Sequence, residues 1–494
     1  MVRTSLSFIV LTLLIGCSQN QSVSVISEDT SLIGTVVQSS QIETEAHVPL
    51  QNGVLVLTLE GAIDRALVAN RGLIASGDQV DSSRLSLVAA DSQFELKFRP
   101  NANVGFGKHS TNGTNEEYGA GLTFDKRFET GTSVAVTPRV DKVSGGYQSG
   151  VDVTLSQPLL LGTNREYNMA GVASAEFSQR SAKRSLFLTR VNTVVSTVML
   201  IYRVVQQREV VGLNTESTKR LEHLVVGTRA KEKIGLATSI DTLRGELQLR
   251  HAQDTLVNAK ESYGDALDDL RVQLSLPMDQ LIEVDAPLVY TLVEVDENTA
   301  VQIAMTNRVE LEQAHDNFEE SQRFSRIAKH RTLPSLDLVF GYSQVGVNEN
   351  LLNDFGLDDH VWNVNLVTST DFARTAEKAA YEQSLLGIRS AKRSLELQRD
   401  DIARQVKRDF RNLRRAQKQI TIQEEQIVNS EKQMRLAKIK FDNGLANNFD
   451  LVEAEADLRQ AETKLVSSVV NYIVGTYQIR QSLGTLLQEP EVTQ

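Results

Sequence analysis

Two carboxylates near the carboxy end, Asp450 and Glu453, stand three residues apart. On a helix that spacing sets both on one face. Presented by several copies around an axis, they would make rings of like charge able to hold or repel cations. The same residues read equally as a helix start. Asn447-x-x-Asp450, like Thr238-x-x-Asp241 earlier in the chain, has capping-box spacing, in which the acid satisfies amide donors at the positive end of a helix. The other reactive position is Cys17, the only cysteine. Arg3, the apolar run 8–15 and the sequence Leu14-Ile15-Gly16-Cys17 have the order of a bacterial lipoprotein signal, cleaved after Gly16 and acylated on Cys17. The run is too short to cross a bilayer as a helix. Acyl chains would supply the anchor, at about 0.8 kcal/mol per buried CH₂.

Nothing else in the chain carries reaction chemistry. The seven histidines are scattered, without the His-Glu-x-x-His spacing of a metal site. Gly105-Phe106-Gly107-Lys108 lacks the flanking spacing of a phosphate loop, and no Gly-x-Ser-x-Gly occurs. The expectation is therefore a non-enzyme with no metal and no cofactor beyond a covalent lipid on Cys17. Net charge is −11, or −12 once a leader containing Arg3 is removed. That acidic balance, with Lys and Arg dispersed, argues against nucleic acid as a partner. With no cysteine left for disulfides, stability must come from packing and association.

The elements that would position these residues are long helices. Val406, Leu413, Ile420, Ile427, Met434 and Phe441 fall seven residues apart without interruption, the repeat of a coiled-coil strand. The other core position of each heptad reads as polar (Gln417, Glu424, Glu431, Lys438), so the seam is narrow. Phe441 reads first as a seam residue and second as part of a closure at the tip. The helix pattern begins near Ala373 and breaks at Asn443-Gly444, where glycine accepts a left-handed helix end. A second helix returns over 448–487. This tip occurs twice: Gly235-Leu236-Ala237-Thr238-Ser239-Ile240-Asp241 aligns without a gap on Gly444-Leu445-Ala446-Asn447-Asn448-Phe449-Asp450, and Leu249-Arg250 on Leu458-Arg459. Asn70-Arg71 likewise answers Asn307-Arg308, and Pro100 answers Pro334. Such self-similarity means a duplicated architecture.

The expected order is a signal at 1–16, a Ser/Gln/Thr-rich tether at 17–56, a first repeat at 57–276, a linker at 277–297, a second repeat at 298–487 and an acidic tail at 488–494. Each repeat reads as a short helix, strands, a long helix, a tip and a returning helix. The first is expected to open with a helix over 57–96 that Pro100 ends. From 101 to 161 the apolar period becomes two, with a hairpin turn at Glu129-Thr130-Gly131-Thr132. Leu336, Leu338, Phe340 and Tyr342, then Trp362, Val364 and Leu366, repeat the pattern in the second half. An ordinary half-exposed sheet and a membrane β-strand share that signature. The first repeat has about 25 more residues than the second between its proline and its tip. They fall in an additional hairpin around 118–140. In the linker, the alternation at Val289-Tyr290-Thr291-Leu292-Val293 predicts a strand.

The ordering resembles the TolC-like outer-membrane efflux proteins, over 57–487. The motifs that carry the resemblance are Leu59-Glu60-Gly61-Ala62-Ile63, Ser156-Gln157-Pro158-Leu159-Leu160 and the two Gly-x₅-Asp tips. One departure is the extra hairpin. Another is Ser369-Thr370-Asp371, where many relatives have a second strand-to-helix proline motif. The resemblance implies an α+β, mostly α fold: duplicated coiled-coil hairpins forming a periplasmic α-barrel, plus a transmembrane β-barrel built from the strands of three protomers. It implies a homotrimeric, lipid-anchored exit duct in the outer membrane, serving a tripartite efflux or type I secretion system. The partners would be a periplasmic adaptor and an inner-membrane pump or ABC transporter. Asp450, Glu453 and Phe441 would form the periplasmic gate, and Gly235, Leu236, Asp241, Gly444 and Leu445 the adaptor-contact tips. Four strands per chain cannot close a barrel, because about eight is the minimum; three chains would give twelve, the first expectation, or eighteen if the extra hairpin also joins. A coiled-coil envelope lipoprotein without a pore is the alternative.

Overall fold

The computed structural model describes residues 50–487, except 52–53, 110–112, 144–145, 292–295, 349–356, 358 and 446–447. The expected signal, Cys17, most of the tether, Asn447 and the tail lie outside the described residues. Two short strands come first, β1 (Leu50–Gln51) and β2 (Val54–Thr58). Helices α1 (Leu59–Ala69) and α2 (Arg71–Asp91) follow. The single helix expected over 57–96 is therefore two. Asn70 takes an extended backbone and accepts the Leu73 amide, ending one helix and capping the next. The break recurs in the second repeat at Arg308, between α6 (Glu297–Asn307) and α7 (Val309–Arg331). Pro100 ends no helix; it lies inside a strand.

That strand is β3 (Lys97–His109), followed by β4 (Gly113–Arg127), β5 (Ser133–Val143) and β6 (Gly146–Pro158). After a one-turn helix α3 (Arg165–Asn168) come α4 (Ala170–Lys233), α5 (Ser239–Gln273) and a short strand β7 (Ile282–Asp285). Beyond α7 lie β8 (Asp337–Asn348), β9 (Asp359–Val367), α8 (Thr375–Asp442) and α9 (Asn448–Ser482). The linker strand is thus seven residues earlier than the alternation at Val289 predicted. Ile282 and Val284 point into the core, and β7 pairs in parallel with β2. The end of the expected tether and the linker together build a three-stranded sheet, β1-β2-β7.

The larger sheet is a six-stranded antiparallel meander, β3-β4-β5-β6-β8-β9. The extra hairpin is β4, the turn at Gly131 (φ +86°) and β5. It lies within the same sheet as the other strands, so each chain supplies six strands to it, not four. The β4–β5 ladder skips the level of Pro138, which has no amide to donate; there the Thr137 hydroxyl donates to that of Thr123 at 3.3 Å. Where relatives have a second proline, Thr370 Oγ1 accepts the Ser335 amide and Asp371 accepts that of Ala373. Side-chain oxygens thus turn the chain from β9 into α8.

The helices pack as α2 and α7 beside one half of α4 and α8, and α5 and α9 beside the other half. At 68 residues α8 is about 100 Å long. Its seam is real: Val406, Leu413, Ile420 and Phe441 are buried, with Ile427 and Met434 half-buried. Gln417, Glu424, Glu431 and Lys438 are exposed and outside it. The second core position falls one residue earlier, and at three of its heptads it holds Ala416, Ser430 and Ala437, all buried. Small residues there let neighbouring helices approach. The 191–205 segment of α4 is apolar for a related reason: Val198, Ile201, Val204 and Val205 form the central core with Leu57, Leu270 and Leu274.

Candidate functional site at the helical tips

Each long helix ends in the same way. Gly235 (φ +76°) and Gly444 (φ +69°) take the left-handed conformation. The Leu236 amide reaches back to the Lys231 carbonyl, and the Leu445 amide to that of Lys440, both at 2.8 Å. These are matching Schellman ends, and only glycine enters them without strain. They leave Leu236 and Leu445 as projecting apolar side chains, 72% and 80% exposed.

Thr238 accepts the Asp241 amide, and Asp241 accepts the Thr238 amide and hydroxyl, a complete capping box. Asp241 is thereby committed to starting α5. Asp450 and Glu453 lie exposed on the first turns of α9, opposite the buried Leu451 and Ala454. Phe441 is not with them. It packs with Leu221, Leu224, Ala437 and Leu451 in a small core shared by both hairpins.

Residues that the sequence did not single out join one tip to the other. Lys231 donates to the Phe441 carbonyl at 2.6 Å, and its ammonium sits 3.8 Å from the ring centroid. A cation over an aromatic face is attracted by the ring quadrupole. Asn448, 1% exposed, donates to the Asp241 carbonyl at 3.0 Å. A side chain on Gly245 would collide with it. Further from the tips, Arg220 of α4 grips Glu455 of α9, with Nε 2.8 and 2.9 Å from the two carboxylate oxygens. Glu462 lies near that pair. Burial pushes its carboxyl above the ordinary range, and the negative charges of Glu455 and Glu431 push the same way against Arg220. Glu455 was findable from sequence, as a carboxylate on the stripe of Leu451, Ala454 and Leu458. Lys231 was not; nothing marks it among the basic residues of a helix end.

A family model described as outer membrane efflux protein matches residues 300–485. Over that span, most of the second repeat, the chain is similar to the outer membrane efflux proteins. No curated protein matches the chain significantly. Among solved structures, the Campylobacter jejuni CmeC outer membrane channel is similar at 15% identity and a TM-score of 0.68, covering 88% of this chain and 87% of that one. The Vibrio cholerae outer membrane protein VceC gives 14% identity and a TM-score of 0.68, with coverage of 86% and 96%. The Neisseria gonorrhoeae MtrE channel, in its open state, gives 17% and 0.65, with coverage of 87% and 89%. These likenesses extend the efflux-protein fold across the first repeat as well as the second.

The sheet is joined to the helices by a second polar cluster. The Gly162 amide donates to His330 Nε2 at 3.1 Å, and the Asn168 amide group donates to the Gly162 and Glu129 carbonyls. Burial holds the His330 imidazole below its ordinary value, which keeps it neutral and accepting. Glu166 forms an ion pair with Arg326 at 2.6 Å across the same junction.

Proposed function

We propose that the chain is the outer-membrane exit duct of a tripartite efflux or type I secretion system, conducting passively what an inner-membrane pump or ABC transporter delivers. The observation that carries this is the two-faced sheet. Phe98, Leu122, Val136, Val153, Phe340 and Val364 lie at successive positions on one face; Arg99, Thr123, Thr137, Asp152 and Asn365 lie on the other. One face suits lipid and the other water. The sheet is open, and in lipid an open edge leaves several kcal/mol per unpaired group. Six strands fall short of the roughly eight needed to close alone. More than one copy must therefore close the barrel; with three, the number the resemblance to TolC-like proteins implies, the barrel is continued towards the periplasm by their helical hairpins, with a lipid on Cys17 holding each copy to the outer membrane.

At the tips, Asp450 and Glu453 from three copies form the acidic ring of the gate, and Phe441 anchors the helix end that carries it. The Gly235-Leu236 and Gly444-Leu445 turns, with Asp241 fixing the start of α5, offer a periplasmic adaptor two apolar knobs per copy. Planar-bilayer recording of the full-length lipidated protein tests this reading. Wild type conducts weakly and is blocked by multivalent cations; Asp450→Ala with Glu453→Ala raises leak and weakens the block. Unchanged conductance and block would assign both acids to starting α9. No conductance, with no three-fold assembly, would leave the coiled-coil scaffold without a pore.

A further inference from the structure

The duct reading leaves open how wide the membrane passage is, and the sheet answers it on that reading. β3 and β6 do not pair with each other; the only hydrogen-bonded route between them runs through β4 and β5. Lifting the hairpin out of the ring would bare two edges in the middle of the sheet. Its faces also match those of its neighbours. Tyr118, Ala120, Leu122 and Phe124 of β4, with Val134, Val136, Pro138 and Val140 of β5, continue the apolar face. On the polar face Arg99 pairs with Asp125 at 2.6 Å across β3–β4. Arg139 bonds Asp141 and Asp152 at 2.6 Å each, and Asp152 accepts the Ser343 hydroxyl. Polar contacts thus cross every described strand pair from β3 to β8. A hairpin standing in water would need neither the apolar face nor these bonds.

We propose that all six strands of each copy enter the barrel, so that three copies close a ring of eighteen. β9 runs opposite to β3. β9 of one copy beside β3 of the next therefore continues the antiparallel pattern. These are also the barest strands: Phe106, Trp362 and Leu366 are 71, 66 and 64% exposed. At a strand spacing of about 4.8 Å and a tilt of about 35–45°, eighteen strands give a backbone diameter of roughly 34–39 Å, against roughly 22–26 Å for twelve. Allowing about 5 Å of side chain on each wall leaves a clear width of roughly 24–29 Å.

Electron cryo-microscopy of the full-length protein in lipid nanodiscs decides it. The expected result is a three-fold ring of eighteen strands. A twelve-stranded ring with β4 and β5 outside it overturns the proposal and leaves the duct reading intact; no central pore overturns the duct reading itself. Nitroxide labels on single-cysteine variants give a second measurement that does not depend on imaging. Leu122→Cys and Val136→Cys should collide with oxygen dissolved in lipid, and Thr123→Cys and Thr137→Cys with a water-soluble nickel complex. Equal access of the nickel complex to all four would place the hairpin outside the barrel.

Discussion

Replacing Arg220 with methionine tests whether the two hairpins of one copy are locked by a buried charge. Glu455 has only 4% of its side chain exposed, and Arg220 holds it at 2.7 Å. Removing the guanidinium strands a carboxylate among Leu451, Ala454 and Leu458, with Glu462 close by. Breaking a buried pair from one side costs about 3–5 kcal/mol, chiefly the uncompensated charge. Arg220 keeps 34% of its own side chain in water, so the lower figure, about 3 kcal/mol, applies. If the pair breaks when α4 and α9 part, that amounts to roughly a 150-fold rise in the local opening constant. Amide hydrogen exchange around Arg220 and Glu455 reads it directly. The double replacement Arg220→Met with Glu455→Leu removes both charges and should restore protection to within about 1 kcal/mol of wild type, as for apolar replacements of buried pairs. If the two single variants and the double one proved additive, the pair would not couple the hairpins, and the reasoning would fail.

Other expectations follow from neighbouring groups. The carboxyl of Glu462 titrates above its ordinary value of 4.5, so the stability it contributes is present below that pH and lost as pH rises through its folded value. Glu462→Gln should flatten that slope in denaturant titrations and raise stability at neutral pH. His330 behaves oppositely: its imidazole is held below 6.5, so its contribution is present above 6.5 and lost as pH falls through the lowered value. Protection of the Gly162 amide, taken against its intrinsic exchange rate at each pH, should fall on acidification, and His330→Asn should abolish that dependence. Gly444→Ala meets open space but a φ of +69°, so it should cost about 1–2 kcal/mol of backbone strain, read as a lower melting temperature. Lys231→Met removes the cation over Phe441 and one hydrogen bond to its carbonyl, together about 1.5–3 kcal/mol; exchange should rise at the end of α8.

Periodicity carried the helical part of the fold because a seven-residue repeat leaves little else for a chain to do. Val406 to Phe441 needed no tertiary information. The breaks at Asn70 and Arg308 were hidden: at Asn70 the side chain accepts one amide, at Arg308 the guanidinium donates to Glu310, Gln405 and the Ser482 carbonyl, and neither leaves a trace in hydropathy. The strand at 282–285 was masked by the stronger alternation at 289, whose described residues 289–291 form no strand and instead pack Tyr290 on the core. Pairing partners were the deepest omission. Alternation tells which face of β4 is apolar, but only the register to β3 on one side and β5 on the other shows that the hairpin completes the sheet. At the tips, glycine and the cap residues were readable because they act within a few positions. Lys231–Phe441, Asn448–Asp241 and Arg220–Glu455 join residues more than two hundred positions apart, and no local pattern could pair them.

The repeated tip sequence gives the chain two matching ends. Both have the glycine turn and its projecting leucine, the parts that shape the backbone. The Asp241 carboxylate is bound into the start of its own helix, in the same turn whose backbone carbonyl accepts from Asn448; losing the cap would fray the turn that presents this carbonyl. Asp450 and Glu453 sit outside the shared core, on a helix whose buried side is already supplied by Leu451 and Ala454, so the packing of the tip does not depend on them. On the duct reading, replacing Asp450 and Glu453 should therefore alter conduction before it alters folding. Asp241→Ala should then lower stability more than Asp450→Ala, and Asp450→Ala should change cation block more than Asp241→Ala. The reverse order in both assays would mean that the two tips have not divided the work.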